Sequence, residues 1–206
     1  QDVPVLALLD DAYFGLTYEE GVIRESLFAS LADAHPNLLA AKVDGATKED
    51  FAWGFRIGFL SFAAAGLRAE HYEALEQKLK GSIRSSVSNS NSTGQHILLR
   101  LLRDGRYREE KQQFREKLES RYRRIRELLD ERSEGRALRA LPFNSGYFMS
   151  FACEGISAEE LRQALLEEGI GTIAIGERYL RVAYSTVDEA DLPVLFEAIF
   201  RNADRL

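Results

Sequence analysis

Two short segments hold residues whose types and spacing could do chemistry. The first, Asp10-Asp11-Ala12-Tyr13-Phe14-Gly15, follows the apolar run Val5-Leu6-Ala7-Leu8-Leu9 directly. Acidic and phenolic groups at the carboxyl end of a strand stand where open α/β sheets place their ligands. Successive strand side chains point to opposite faces, so Asp10 and Asp11 cannot both enter one site if the strand runs through them, and one of the two is expected to be catalytic. A turn-forming Asp pair accounts for the hexapeptide equally well. The second segment is Asp44-Gly45-Ala46-Thr47-Lys48-Glu49-Asp50-Phe51-Ala52-Trp53-Gly54-Phe55-Arg56-Ile57-Gly58, read as a loop between two strands. A lysine among small and aromatic residues is a candidate nucleophile, because desolvation disfavours the protonated ammonium. Arg56 offers a rigid fork of donors suited to a phosphate. Taken singly, Lys48 with Glu49 and Asp50 also reads as a solvated charged loop, and Arg56 as an ion-pairing strand residue.

The elements that must position these residues alternate in the first part of the chain. A buried strand near residues 3–9, a helix near 20–34, and strands near 38–43 and 55–63 make an α/β pattern. Residues 68–103 read as two helices separated by the turn-forming stretch Ser85 to Gly94. From Tyr107 to about Glu134, Phe114, Leu118, Tyr122, Ile125 and Leu129 recur at helical spacing, giving one long amphipathic helix. The remainder reads as a small α+β domain. It has a strand near 146–152, a helix opened by Ser157 with Glu160 as a capping box, short strands near 171–175 and 179–184, and a helix at about 188–203. The boundary between the two parts is placed at residues 115/116.

Composition excludes several classes of function. With 206 residues, 45% of them hydrophobic, the chain can bury a real core. It has no apolar run long enough to span a membrane and no signal-peptide pattern, so a cytoplasmic location is expected. Cys153 stands alone and His35, His71 and His96 are scattered, which leaves no metal-ligand spacing. The net charge of −6 argues against broad nucleic-acid binding. Arg121, Arg123, Arg124 and Arg126 interleave with Glu116, Glu119, Glu127 and Glu131 and read as a solvated helix face. The only methionine is Met149 and a strand arrives almost at once, so the chain is expected to be a fragment entered midway.

Taken together, the segments resemble the class I aminotransferases of fold type I, which depend on pyridoxal 5′-phosphate (PLP) and are related to aspartate aminotransferase. Asp10-Asp11-Ala12-Tyr13 resembles that family's Asp-x-Ala-Tyr motif. Lys48, with Arg56 eight residues later and Ile57-Gly58 continuing the match, resembles its Schiff-base lysine and phosphate arginine. Tyr179-Leu180-Arg181-Val182-Ala183-Tyr184-Ser185 resembles the small-domain strand whose arginine holds the substrate carboxylate. Arg84, with Ser88-Asn89 following, resembles a segment that reaches the neighbouring subunit's site, where an arginine binds a side-chain carboxylate; Arg84 reads equally well as an ordinary helix-surface residue.

The resemblance implies the C-terminal part of a PLP-binding large domain followed by the small domain. It implies Asp10 paired with the pyridine nitrogen, Tyr13 on the ring's phenolate oxygen, Lys48 as cofactor anchor and general base, and Arg56 on the phosphate. Arg181 would clamp the substrate carboxylate, and Arg84 and Ser88 would imply a homodimer with shared sites and a preference for dicarboxylic substrates. Two departures stand out. Gly45 sits where many relatives have a phosphate-binding serine, and Val87 replaces a common aromatic residue. The expected activity is amino transfer between an amino acid and a 2-oxo acid. A PLP-dependent β-lyase and the PLP-binding effector domain of a transcription regulator are the alternatives. The chain alone is expected to bind PLP poorly and not to turn over, leaving strand edges and apolar faces uncovered.

Overall fold

The computed structural model describes residues 3–131 and 137–206. Contacts divide the chain into two compact units, the residues up to Thr17 with Gly21–Gln112, and Tyr18–Glu20 with Gln113 onward.

The first unit is built on a three-stranded sheet in the order β1-β2-β3, with β1 at Val5–Asp10, β2 at Leu38–Asp44 and β3 at Phe59–Ala63. β1 and β2 run parallel with Asp10 opposite Val43, whereas β3 returns antiparallel with Phe59 opposite Asp44. The ends of β1 and β2 and the start of β3 therefore share one edge of the sheet. Helix α1 spans Leu27–Leu31 and the one-turn helix α2 spans Ala46–Glu49. A 3-10 turn at Trp53–Phe55 precedes β3. Helices α3 (Ala69–Ser86), α4 (Ser92–Arg103) and α5 (Tyr107–Asp130) follow, and the division between the units falls within α5.

Several local expectations are corrected here. β1 is not a fully buried strand: Val5, Leu6 and Leu8 are exposed, Leu8 at 68%. A continuous apolar run reports what a strand is suited to pack against, and none of the described residues covers those side chains. Helix 20–34 shrinks to α1, because Gly21 takes a left-handed φ of 77° and helical structure begins only after Ser26, whose Oγ accepts from the Phe28 N–H. Lys48 lies on a helical turn rather than in a loop, and Arg56 precedes β3 instead of belonging to it. The break expected between residues 85 and 94 is present, since α3 ends at Ser86 and Asn91 caps α4 by accepting from the Gly94 N–H at 3.0 Å.

In the second unit α5 buries Leu118, Tyr122, Ile125 and Leu128, while Phe114 stays exposed and the register moves from Leu129 to Leu128. The expected extension of the helix to Glu134 falls partly outside the described residues. A four-stranded antiparallel sheet follows in the order β4-β5-β7-β6. Its strands are β4 (Leu138–Ala140), β5 (Met149–Cys153), β6 (Ile173–Ile175) and β7 (Tyr179–Val182). β4 is absent from the sequence expectation, because three residues with an arginine in the middle carry too little alternation to read.

Helix α6 (Ala158–Glu167) opens at Ser157, whose Oγ accepts from the N–H groups of Glu159 and Glu160. Helix α7 spans Leu192–Ala203, with Pro193 in its first turn. Phe151 of β5 meets Phe196 and Phe200 of α7 in edge-to-face contacts at 6.1 and 5.8 Å between ring centroids. Leu161, Leu165, Leu180 and Ile199 complete this core. Among the described residues no helix is long and apolar enough to cross a membrane.

Candidate active site

The shared edge of the first sheet gathers four of the singled-out residues. Asp10 ends β1, and its Oδ1 accepts from the Ala12 N–H at 3.1 Å, which turns the chain off the strand. The Asp11 N–H bonds the Val43 carbonyl at 2.8 Å, tying this turn to β2. The Asp11 carboxylate accepts from the Ser26 hydroxyl at 2.5 Å and so anchors the cap of α1. The two acids thus serve different partners. Tyr13 follows in the turn, with its ring centroid 5.4 Å from the Lys48 Nζ, within cation–π range.

Lys48 is carried by α2 immediately after β2. Four residues cannot sustain a helix in isolation, and α2 draws its support from packing. Ala46 is completely buried against Ala52, Ile57 and Leu98, with Phe55 alongside. The Ala52 N–H bonds the Ala46 carbonyl at 3.0 Å, and Phe51 takes a left-handed φ of 55° that turns the chain back. Arg56 has the same left-handed conformation, φ 54°, uncommon for a residue with a Cβ and placed here between the 3-10 turn and β3. Asn91 holds this turn from α4, donating from Nδ2 to the Phe55 carbonyl at 2.9 Å.

The departure at Gly45 has a structural reason. A Cβ at this position would lie 2.6 Å from the Ile57 carbonyl oxygen and 3.2 Å from the Gly58 Cα. The close approach brings the segment after Arg56 against the segment before Lys48, and in this conformation it leaves no room for a serine.

Further charges surround the Lys48 turn. Lys42 pairs with Asp44, and Lys111 of α5 pairs with both Glu49 and Asp50. Burial alone would lower the Lys111 pKa; its hydrogen bonds to the Asp50 and Glu49 carboxylates outweigh that and push it up to about 12. Tyr107 donates to Asp50, and burial followed by that bond pushes its phenol up to about 12. Lys111 and Tyr107 carried no sequence signal, lying about 60 residues from their partners on a helix that reads as solvated.

Arg84 lies in the last turn of α3 and Ser88 just beyond the helix; the Arg84 Nη1 donates to the Ser88 Oγ at 2.7 Å, and Ser88 adopts φ 68°. In the second unit Arg181 sits on β7 opposite Ser150 of β5 and Ile173 of β6. Its guanidinium carbon lies 3.9 Å from the centroid of the Phe148 ring, within cation–π range. Phe148, outside every recognised motif, was also missed. Among the described residues no group of three or more acidic, His or Cys side chains could hold a metal.

The family model for aminotransferase class I and II matches residues 2–199. The chain belongs to this family. Solved structures that this class I and II aminotransferase chain resembles include an aminotransferase from Anaerococcus prevotii, at 23% identity and TM-score 0.78, with 98% of this chain covering 47% of that one. LysN, the α-aminoadipate aminotransferase of Thermus thermophilus in complex with N-(5′-phosphopyridoxyl)-L-leucine, matches at 20% identity and TM-score 0.73, with 98% covering 50%. A double mutant of Thermus thermophilus aspartate aminotransferase matches at 21% identity and TM-score 0.69, with 95% covering 47%. The fold is that of the fold-type-I aminotransferases, and this chain spans about half the length of the solved structures it matches. No curated protein matches it.

Proposed function

We propose that the protein carrying this chain transfers an amino group between an amino acid and a 2-oxo acid with PLP bound at Lys48. The observation that carries this reading is the meeting of Lys48 with Tyr13 at the sheet edge where Asp10 ends β1. The donor set fits the cofactor, combining a primary amine for its aldehyde, a carboxylate for its pyridinium, a phenol for its ring oxygen and a guanidinium for its phosphate. When bound, PLP supplies an electron sink that stabilises negative charge at the substrate's α-carbon.

In this reading Lys48 would hold the cofactor through its side-chain amine. Once a substrate amine had taken its place, the Lys48 amine would serve as the general base that carries the proton between the substrate α-carbon and the cofactor. Asp10 keeps the pyridine nitrogen protonated by offering it a carboxylate. Tyr13 would donate to the ring oxygen, and Arg56 would hold the phosphate through charge-assisted hydrogen bonds. Arg181, beside the Phe148 ring, would clamp the substrate carboxylate with two parallel charge-assisted hydrogen bonds. Arg84 and Ser88 serve the site of a second copy and favour substrates with a second carboxylate, which makes the protein a homodimer. Residues 1–115 belong to the large cofactor domain and 116–206 to the small domain.

The test is mass spectrometry after PLP addition and borohydride reduction, on the chain alone and together with any native sequence that adjoins it. A reduced adduct on the peptide containing Lys48 is the expected result. No adduct in either form, or an adduct on another lysine, overturns the assignment.

A further inference from the structure

We propose that Lys111 and Tyr107 are positioning residues for Lys48, acting as a latch that grips the carboxylates of Glu49 and Asp50 and so fixes the helical turn presenting the Lys48 amine. The inference rests on the reading of Lys48 as the cofactor's attachment point.

The turn needs such a latch. α2 has four residues, its cap Gly45 provides no side-chain hydrogen bond, and its exit runs through the left-handed Phe51. Hydrophobic support comes through Ala46 at the start of the turn and Ala52 beyond it, and polar contacts hold Glu49 and Asp50 between them. Those contacts come from α5, a 24-residue helix whose first turns bring Tyr107 and Lys111 onto one face at a spacing of four. The Lys111 Nζ donates to the Asp50 Oδ1 at 2.9 Å and to the Glu49 Oε1 at 3.1 Å, and the Tyr107 hydroxyl donates to the same Asp50 oxygen. The Asp50 side chain is only 13% exposed, so solvent screens this pairing weakly. On its other side Glu49 approaches Gly15, two residues beyond Tyr13, so the latch touches both segments that meet at Lys48.

The experiment measures the half-saturating PLP concentration and the fraction of Lys48 trapped by borohydride, located by peptide mapping, for the unsubstituted protein and for K111M, K111R and Y107F. Melting temperature is followed in parallel. Loss of a charge-assisted hydrogen bond at a shielded site predicts a roughly tenfold rise in half-saturating PLP for K111M. K111R restores the cation and is expected to return most of the binding. Y107F removes one hydroxyl and is expected to give a smaller rise with a smaller drop in melting temperature than K111M, which keeps the test informative if K111M fails to fold. Trapping by K111M equal to that of the unsubstituted protein overturns the inference, as does a K111R variant that folds but traps as poorly as K111M. If K111M does not fold, Y107F trapping at the unsubstituted level overturns it. An adduct missing from the unsubstituted protein overturns the cofactor reading and this inference with it.

Discussion

Gly45 and Ile57 are in backbone contact so close that a Cβ on residue 45 would stand 2.6 Å from the Ile57 carbonyl oxygen. The contact joins the two ends of the segment containing both Lys48 and Arg56, and it involves no side chain from either. Gly45 itself is extended, φ 176°, so the constraint is space and not conformation. Replacing it with serine is expected to push residues 56–58 away. Overpacking of this kind costs about 1–3 kcal/mol. Urea denaturation of Gly45→Ser should show the lower midpoint. An unchanged midpoint would mean that the Ile57 segment can retreat without loss.

The hydrophobic support of the Lys48 turn is testable through Leu98, which is 3% exposed and packs with Ala46, Ala52 and Ile57. Leu98→Ala removes three heavy atoms from a small cluster and is expected to cost about 2–5 kcal/mol. Amide exchange at Ala46 and Ala52 should quicken in this variant. Protection at its original level there would show that α2 is held by other means.

Alkaline titration should report the latch. Tyr107 is raised from 10.0 to about 12 by burial and its bond to Asp50, and Lys111 is raised from 10.5 to about 12, its carboxylate bonds outweighing burial. For both groups the folded state favours the protonated form. Their contribution to stability is therefore complete below about pH 10 and is lost as pH rises through about 12. Tyr122, raised to about 12 by burial and by its bond to Glu19, follows the same course. Tyrosinate absorbance during a pH titration should show a late-ionising component that shrinks in Y107F and again in Y122F. If neither substitution changes it, the late component belongs to other tyrosines.

The Arg181–Phe148 pair separates charge from geometry. In the proposed aminotransferase, Arg181→Lys keeps the charge but loses the planar fork and is expected to raise KM for the amino-acid substrate by about tenfold or more, since hydrogen bonds to charged groups are worth about 1.5–3 kcal/mol. Phe148→Leu keeps the fork but removes the ring beside it, and should raise KM by a smaller factor with Arg181 intact. Steady-state kinetics over a series of amino donors provides the comparison. Equal effects of the two substitutions would argue that the ring matters as much as the fork.

The family was legible in the sequence, because Asp10, Tyr13, Lys48, Arg56 and Arg181 stand in the order in which its motifs are met. The helices α3, α4 and α5 were readable from helical periodicity, and the break between α3 and α4 from its run of turn formers. β4, and the shrinking of the first helix to five residues, were not readable, since short elements carry little periodic signal and are settled by what they pack against.

By itself, then, the sequence determined which side chains are available for chemistry and roughly which elements carry them, since both follow from local residue types and spacing. Only tertiary structure decided why position 45 is glycine, which acid bonds Ser26, and that Lys111 and Tyr107 reach Asp50. Each of these depends on backbone or side-chain atoms brought within a few ångströms by residues up to 61 positions apart. Excluded volume and charge pairing at such distances leave no trace in local pattern, because they come into being only when the chain closes on itself.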